Sequence, residues 1–507
     1  MSIRLWIDVE DLFEYARGNK RPSGIQRLAF EICRALQQRL GDSGLVQFVR
    51  HDVPRNSFRT VLWSEVANLF EALTDLAPAP TPVLPSGITP RPPARRFVGK
   101  WLHRLAPSLR PLVINAVLAQ SEALRAWGTV AGAISREVRN RLRHIMRFSL
   151  RTGAPQCAES KTGASAADTF GENSAPGDVL LVLGSPWSHP DYAALVSEQR
   201  ERGLRFALLV YDLIPIRRPE WCDRGLVRLF RDWFQTVLPL CDAVFAISQA
   251  TAGDVERYAH DTRITLPAQV QAIPIGTGFG VPPPPSAVSA KHALPKTGSY
   301  ALFVSTIEAR KNHALLFRTW RQLLEDMKPE EVPTLVFAGR VGWMVGDLMH
   351  QIANTDHLNG KLVVIEDPTD TELAALYGGC LFTLFPSLYE GWGLPVTESL
   401  AFGKPCIISN RTSLPEAGGA LARIFDPDNL HDAYRVIRQT IEDRADLARW
   451  EARVRREFRP VPWSATVDAI LAGLRFSTDN PKIACDRARE EPREEPQTLR
   501  AAPVHTS

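Results

Sequence analysis

Along most of the chain, short unbroken apolar runs alternate with stretches whose apolar residues fall three and four apart. Residues 3–7, 45–49, 177–183, 205–211, 241–248 and 270–276 read as buried strands of a first half. Residues 300–304, 334–338, 362–366 and 380–384 read as strands of a second half. Between them, residues 24–36, the run ending at Leu324 and residues 463–471 carry one apolar face at helical spacing. Strands buried on both faces that alternate with helices predict parallel, doubly wound sheets. The expected fold class is therefore α/β, with two such domains. Ser248 stands where it would cap the helix that follows, and residues 8–23 read as a polar loop rich in Arg and Lys.

The alternation fails in two places. Residues 77–87 and 90–93 are proline-rich and cannot hold a helix or a central strand. They lead into 95–151, where Arg and Lys interleave with Trp101, Leu105, Leu109, Leu112 and Val117, and then into a Ser-, Ala- and Gly-rich stretch, 154–176. Residues 77–176 thus read as an insertion in the first domain. A second break, Pro282–Ser286, is a stiff extended connection. The expected division is a domain over 1–283, a linker over 284–296, a second domain over 297–455, a helix over 456–475 and a tail over 476–507. The tail alternates Arg, Glu and Pro with almost no large apolar residue and is expected to be disordered.

Composition narrows the classes further. A formal charge of +4 over 507 residues makes no case for nucleic acid as a partner. Seven scattered cysteines without a Cys-x-x-Cys pair argue against a disulfide framework or a zinc site and for a reducing, cytoplasmic compartment. No apolar run reaches about 18 residues, the length that spans a bilayer. The basic, amphipathic 95–151 then has two readings: a segment lying on the inner face of the cytoplasmic membrane, or a helical subdomain packed on the first sheet.

Candidate chemistry concentrates at Phe385-Pro-Ser-Leu-Tyr-Glu-Gly-Trp-Gly-Leu-Pro-Val-Thr-Glu-Ser, a strand, loop and helix. Gly391 and Gly393 open the loop to close approach, and Pro395 suits the first turn of a helix whose free amides attract phosphate. Glu390 and Glu398 bracket that anion cradle. With residues 403–410 and 414–419 downstream, the stretch resembles the E-x7-E signature of retaining glycosyltransferases of family four (glycosyl transferases group 1). These enzymes have the GT-B fold, two Rossmann-like domains facing a cleft.

The resemblance implies transfer of a hexose from a nucleotide-diphosphate sugar (GDP-, UDP- or dTDP-linked) to a glycan or lipid-linked acceptor in bacterial surface polysaccharide synthesis. It implies that Glu398 binds the ribose and Glu390 the donor sugar. Arg310 and Lys311, with Thr306 in the same loop and Gly391, Trp392, Gly393 and Leu394 opposite, would hold the diphosphate, with no metal and no cofactor. Gly24 lies in a glycine-containing first loop like that of some members. Tyr211 and Asp212 stand where many members carry His-Asp, so the acceptor-activating group departs from the pattern and Asp212 takes an orienting role. Glu390, Asp212 and Lys311 are the expected catalytic set, and the helix 456–475 is expected to cross back to the first domain. An epimerase of the same fold and a silent sugar-binding subunit are the competing classes; the intact motif speaks against the second.

Overall fold

The computed structural model describes residues 3–19, 21–52, 56–73, 169–267, 269–278 and 292–475. Most of the 77–176 insertion with its segment 95–151, the proline connection and the tail lie outside them. The first sheet runs β3-β2-β1-β4-β5-β6-β7, from β1 (Leu5–Asp8), β2 (Val46–Asp52), β3 (Ser57–Val61), β4 (Val179–Val182), β5 (Arg205–Val210), β6 (Ala243–Ala246) and β7 (Gln271–Ala272). The second runs β10-β9-β8-β11-β12-β13, from β8 (Tyr300–Val304), β9 (Thr334–Ala338), β10 (Leu362–Ile365), β11 (Thr383–Phe385), β12 (Cys406–Ser409) and β13 (Arg423–Phe425). Two doubly wound sheets in one α/β chain are the GT-B arrangement.

The unbroken apolar runs have a direct cause. Leu5, Ile7, Leu181, Ala207 and Leu209 pack into a core on one face of the first sheet, and Trp6, Leu180, Phe206 and Leu208 into a core on the other. Alternate side chains point to opposite faces, so a strand covered on both sides has no polar position to spare. In both sheets the winding reverses beside a central strand, between β1 and β4 and between β8 and β11. Crevices outside the carboxyl ends at such points are where doubly wound sheets bind ligands.

Three expectations need correction. The first sheet is not wholly parallel, because β3 pairs antiparallel with β2; the connection from Asp52 to Ser57 is too short for a crossover. The polar loop 8–23 contains a helix, Glu10–Gly18, started by Asp8 Oδ1 accepting the Glu10 amide at 3.0 Å and anchored by buried Leu12. The strand expected over 270–276 is cut to Gln271–Ala272, since Pro274 has no amide for a ladder. Beyond Asp428 two helices follow, Leu430–Glu442 and Arg444–Glu457, parted where Asp443 accepts the Asp446 amide at 2.8 Å. Ser248 does cap its helix, accepting the Thr251 amide at 3.0 Å.

The helix Trp463–Gly473 belongs to the first half. Val467, Ile470 and Leu471 sit in its core, and Thr466 Oγ1 accepts the Gly276 amide at 3.1 Å. Trp463 lies so close over Gly276 that a Cβ there would fall 2.2 Å from the ring. Ile470→Ala is expected to lower the unfolding free energy by roughly 2–5 kcal/mol, measured by urea denaturation. Hydrogen exchange should assign the loss to the first sheet rather than to the second.

Candidate active site

At the carboxyl end of β8 the chain makes one tight turn, Ala309–Lys311, and Asn312, at φ 61°, opens the helix His313–Asp326. That turn aims Arg310 and Lys311 at the loop after β11. Lys311 Nζ donates to Glu390 Oε1 at 2.6 Å, and an Arg310 terminal nitrogen donates to Glu390 Oε2 at 2.8 Å. The same guanidinium donates to Tyr389 O at 2.5 Å and to Glu308 Oε1 at 2.7 Å. Two carboxylates and two cations are thus interlocked at the point where the second sheet reverses its winding.

Burial alone would raise the Glu390 carboxyl, but Lys311 and Arg310 outweigh it and hold it at about 2. Burial, then the charge of Arg310, pushes the Lys311 ammonium down despite Glu390. Arg310 goes the other way: burial opposes its charge, but Glu390 and Glu308 raise it. Behind the turn, burial and then Lys311 push His313 down to about 3, so that its ring packs neutral against Phe303. Close pairing is what lets these ions stay charged out of water.

The loop that carries Glu390 is fixed from below. Its amide donates to Thr412 Oγ1 at 2.9 Å, and the fully buried Ser413 hydroxyl reaches Glu390 O at 3.0 Å and Trp392 O at 2.8 Å. Gly393, at φ 114°, precedes the helix Leu394–Ala401, with Pro395 in its first turn. One turn in, Glu398 accepts from Tyr377 Oη at 2.9 Å. Burial raises the Glu398 carboxyl, and that hydrogen bond only partly offsets it.

The first half meets this loop directly. A Cβ on Gly391 would fall 2.2 Å from Tyr211 O and 3.2 Å from Asp212 Cβ, and one on Gly24 would fall 3.3 Å from Leu394 Cδ1. Thr251 Oγ1 lies 3.3 Å from both Tyr211 O and Gly391 O. Glu416 accepts the Gln249 and Ala250 amides at 2.8 Å each, and Arg27 pairs with Asp370 at 2.7 Å. Asp212 accepts the Ile214 amide at 2.9 Å, and burial raises its carboxyl.

One expected cleft residue is not there. The Tyr211 side chain is buried in the first core and donates to Leu183 O, so only its backbone faces the loop. Thr306 lies under Gly342, whose Cβ would meet its methyl group at 2.9 Å. Sequence reading passed over Glu308, Tyr377, Thr412 and Ser413. Their partners are 2, 21, 22 and 23 positions away respectively, so only the short Glu308–Arg310 spacing gave a local signal. It also passed over the first crevice, where Asp8 accepts from His51 at 2.7 Å and Tyr192 at 2.8 Å. Beside that pair, burial pushes Asp11 up to about 6 although Gln26 donates to it at 2.8 Å.

Residues 286–457 match the sequence model of the family described as glycosyl transferases group 1. The chain is 26% identical over 313 residues to the serotype-specific mannosyltransferase WbdA of Escherichia coli, covering 59% of this chain and 37% of that protein. It is 27% identical over 238 residues to the O-antigen chain mannosyltransferase B of Escherichia coli, covering 46% and 60%. A D-inositol 3-phosphate glycosyltransferase of Thermobifida fusca is 29% identical over 194 residues, covering 36% and 43%. The chain therefore spans between about a third and three-fifths of the length of these relatives.

Because the Glu390 carboxyl is held below its ordinary 4.5, its pairing stabilises the fold above about pH 4.5, and that stability is lost as the pH falls toward 2. Glu390→Gln removes the titrating group. The melting temperature of that variant is expected to fall less steeply than wild type between about pH 5 and pH 2, as followed by circular dichroism across buffers of constant ionic strength.

Proposed function

From the match of residues 286–457 to the glycosyl transferases group 1 family, we propose that this chain transfers a hexose from a nucleotide-diphosphate sugar to a glycan or lipid-linked acceptor, with retention at the anomeric carbon. The observation that carries the reading is the cluster of Arg310, Lys311 and Glu390 at the reversal point of the second sheet, beside the amino end of the helix Leu394–Ala401 and the amides of the loop that leads into it. A nucleoside diphosphate brings the charge that this pair of cations and these amides suit. It takes over Lys311 and Arg310, leaving Glu390 to hold donor hydroxyls near the reacting carbon. Glu398, already oriented by Tyr377, receives the ribose hydroxyls.

In the transfer step the bond from the anomeric carbon to the diphosphate oxygen breaks, and a bond to the acceptor oxygen forms on the same face. The acceptor proton passes to the departing phosphate oxygen. Lys311, Arg310 and the loop amides stabilise the charge that develops there, so no divalent metal is required. Asp212, between the two halves, orients the acceptor. Mannose as the sugar and a surface polysaccharide such as O-antigen as the product are the reading that the names of the relatives favour. The work would be done in the cytoplasm, at the inner face of the membrane. The intact pair Glu390 and Glu398 favours this reading over a silent binding subunit, and the family-four loop together with the long insertion in the first domain favours it over an epimerase.

Glu390→Ala and Glu398→Ala are each expected to lower turnover by at least about ten-fold, some 1.4 kcal/mol of transition-state stabilisation, with melting curves still cooperative. Full activity in either variant would remove the assignment. Transfer is expected to continue in excess EDTA; a loss that magnesium or manganese restores would refute the metal-free step. Lys311→Ala should weaken nucleoside-diphosphate binding by roughly 1.5–3 kcal/mol, read by calorimetry with GDP, UDP and dTDP. The anomeric configuration of the product, read by NMR, tests retention.

A further inference from the structure

Large apolar side chains are exposed where the two halves meet, beside the charged cluster. Trp343 is 52% and Met344 62% exposed, on the loop after β9. That loop is pinned to the site, because Gly342 packs against Thr306 and a Cβ there would lie 3.5 Å from Glu308 Cβ. Trp343 Nε1 donates across the junction to Trp221 O at 2.8 Å. The Arg218 guanidinium lies over the Trp221 ring, 4.2 Å from its centre. Arg218 is also one wall of a cavity of about 360 Å³ whose other walls include Tyr389, Arg411, Thr412 and Asp428. Two tryptophans, an arginine and a cavity thus stand in a row that ends at Tyr389 and Thr412, the two residues that flank Glu390 in the fold.

The chemistry of the row selects its occupant. The exposed indole of Trp343 carries a cost in water that a ligand with an apolar face relieves, and the half-buried Trp221 ring lies next to it. The cavity's arginines are already matched: Arg218 pairs with Glu220 at 2.8 Å, and Arg411 with Asp426 at 2.8 Å and Asp428 at 2.7 Å. Both arginines of the cavity wall thus already have carboxylate partners. A neutral polyhydroxyl ring, with C–H faces for the indoles and hydroxyls for the paired ions, fits this surface, and a phosphate or sulfate does not.

We propose that Trp343, Trp221 and the cavity behind Arg218 form a saccharide subsite. It takes neutral pyranose units of the acceptor glycan beyond the unit that receives the sugar. The proposal rests on the transfer reading above and adds a dependence on acceptor length. None of these residues belongs to the donor cluster, so their loss leaves the handling of the nucleotide intact.

Titration of the full chain with mannotetraose and with methyl mannoside, followed by tryptophan fluorescence, tests it without a donor. The tetrasaccharide is expected to shift the emission and to bind at least about ten-fold more tightly than the single sugar. Trp343→Ala, Trp221→Ala and Arg218→Ala are each expected to erase that preference while binding of GDP or UDP stays at the wild-type level. If neutral tetrasaccharides of mannose, glucose and galactose all fail to bind, or if the variants bind them as wild type does, the subsite is overturned. Tighter binding of a sulfated tetrasaccharide would overturn its neutral character. Nucleoside-diphosphate binding by calorimetry in parallel separates the two readings, since its absence refutes the transferase and not the saccharide row.

Discussion

One carboxylate, Glu390, holds two cations supplied by the end of a different strand, and the face of the second half that meets the first is arranged by that exchange. Buried ions persist only when their partners are complete. With Glu308 on the far side of Arg310, the four side chains sum to no net charge. The exchange fixes the backbone too: Arg310 also ties down Tyr389 O, and Thr412 and Ser413 hold the next peptides from beneath. What remains free of side chain is Gly391, whose Cα comes up against the Tyr211 carbonyl of the other half. Ion pairing within one half and contact between halves therefore converge on two consecutive residues.

The two halves bring different electrostatics to that junction. In the second, Glu390 and Arg310 are driven far from neutrality and keep fixed charges at physiological pH. In the first, burial pushes Asp11 up to about 6 in a crevice where burial opposes the charge on Asp8 and His51 but each shifts the other toward its charged form.

The sequence made most of the strands, the glycine loop and the two cations that meet it legible because each is a local pattern: an apolar run, a pair of glycines ahead of a proline, Arg310 beside Lys311. Residues whose work depends on the other end of the fold were not legible. Ser413 supports Glu390 from 23 positions away, and nothing around it marks that service. Tyr211 was misread for the same reason, since its ring could point into the cleft or the core, and only the packing of β5 against the first helix layer decides. The helix Glu10–Gly18 was hidden because Leu12 is its one large apolar residue that is fully buried and charged residues stand at four of its nine positions. The antiparallel β3 was missed because a short connection reverses a strand without an apolar signal of its own.

The placement of Trp463–Gly473 has a consequence for how the molecule comes into being. Synthesis delivers the first sheet early, yet Ile470 and Leu471, which complete its core, follow the whole second half. A nascent chain must therefore carry an open apolar face on its first domain while the second domain is being made and folded. Translation rate across residues 292–475 then becomes a determinant of yield, and a cut anywhere before Trp463 leaves the earlier half unfinished.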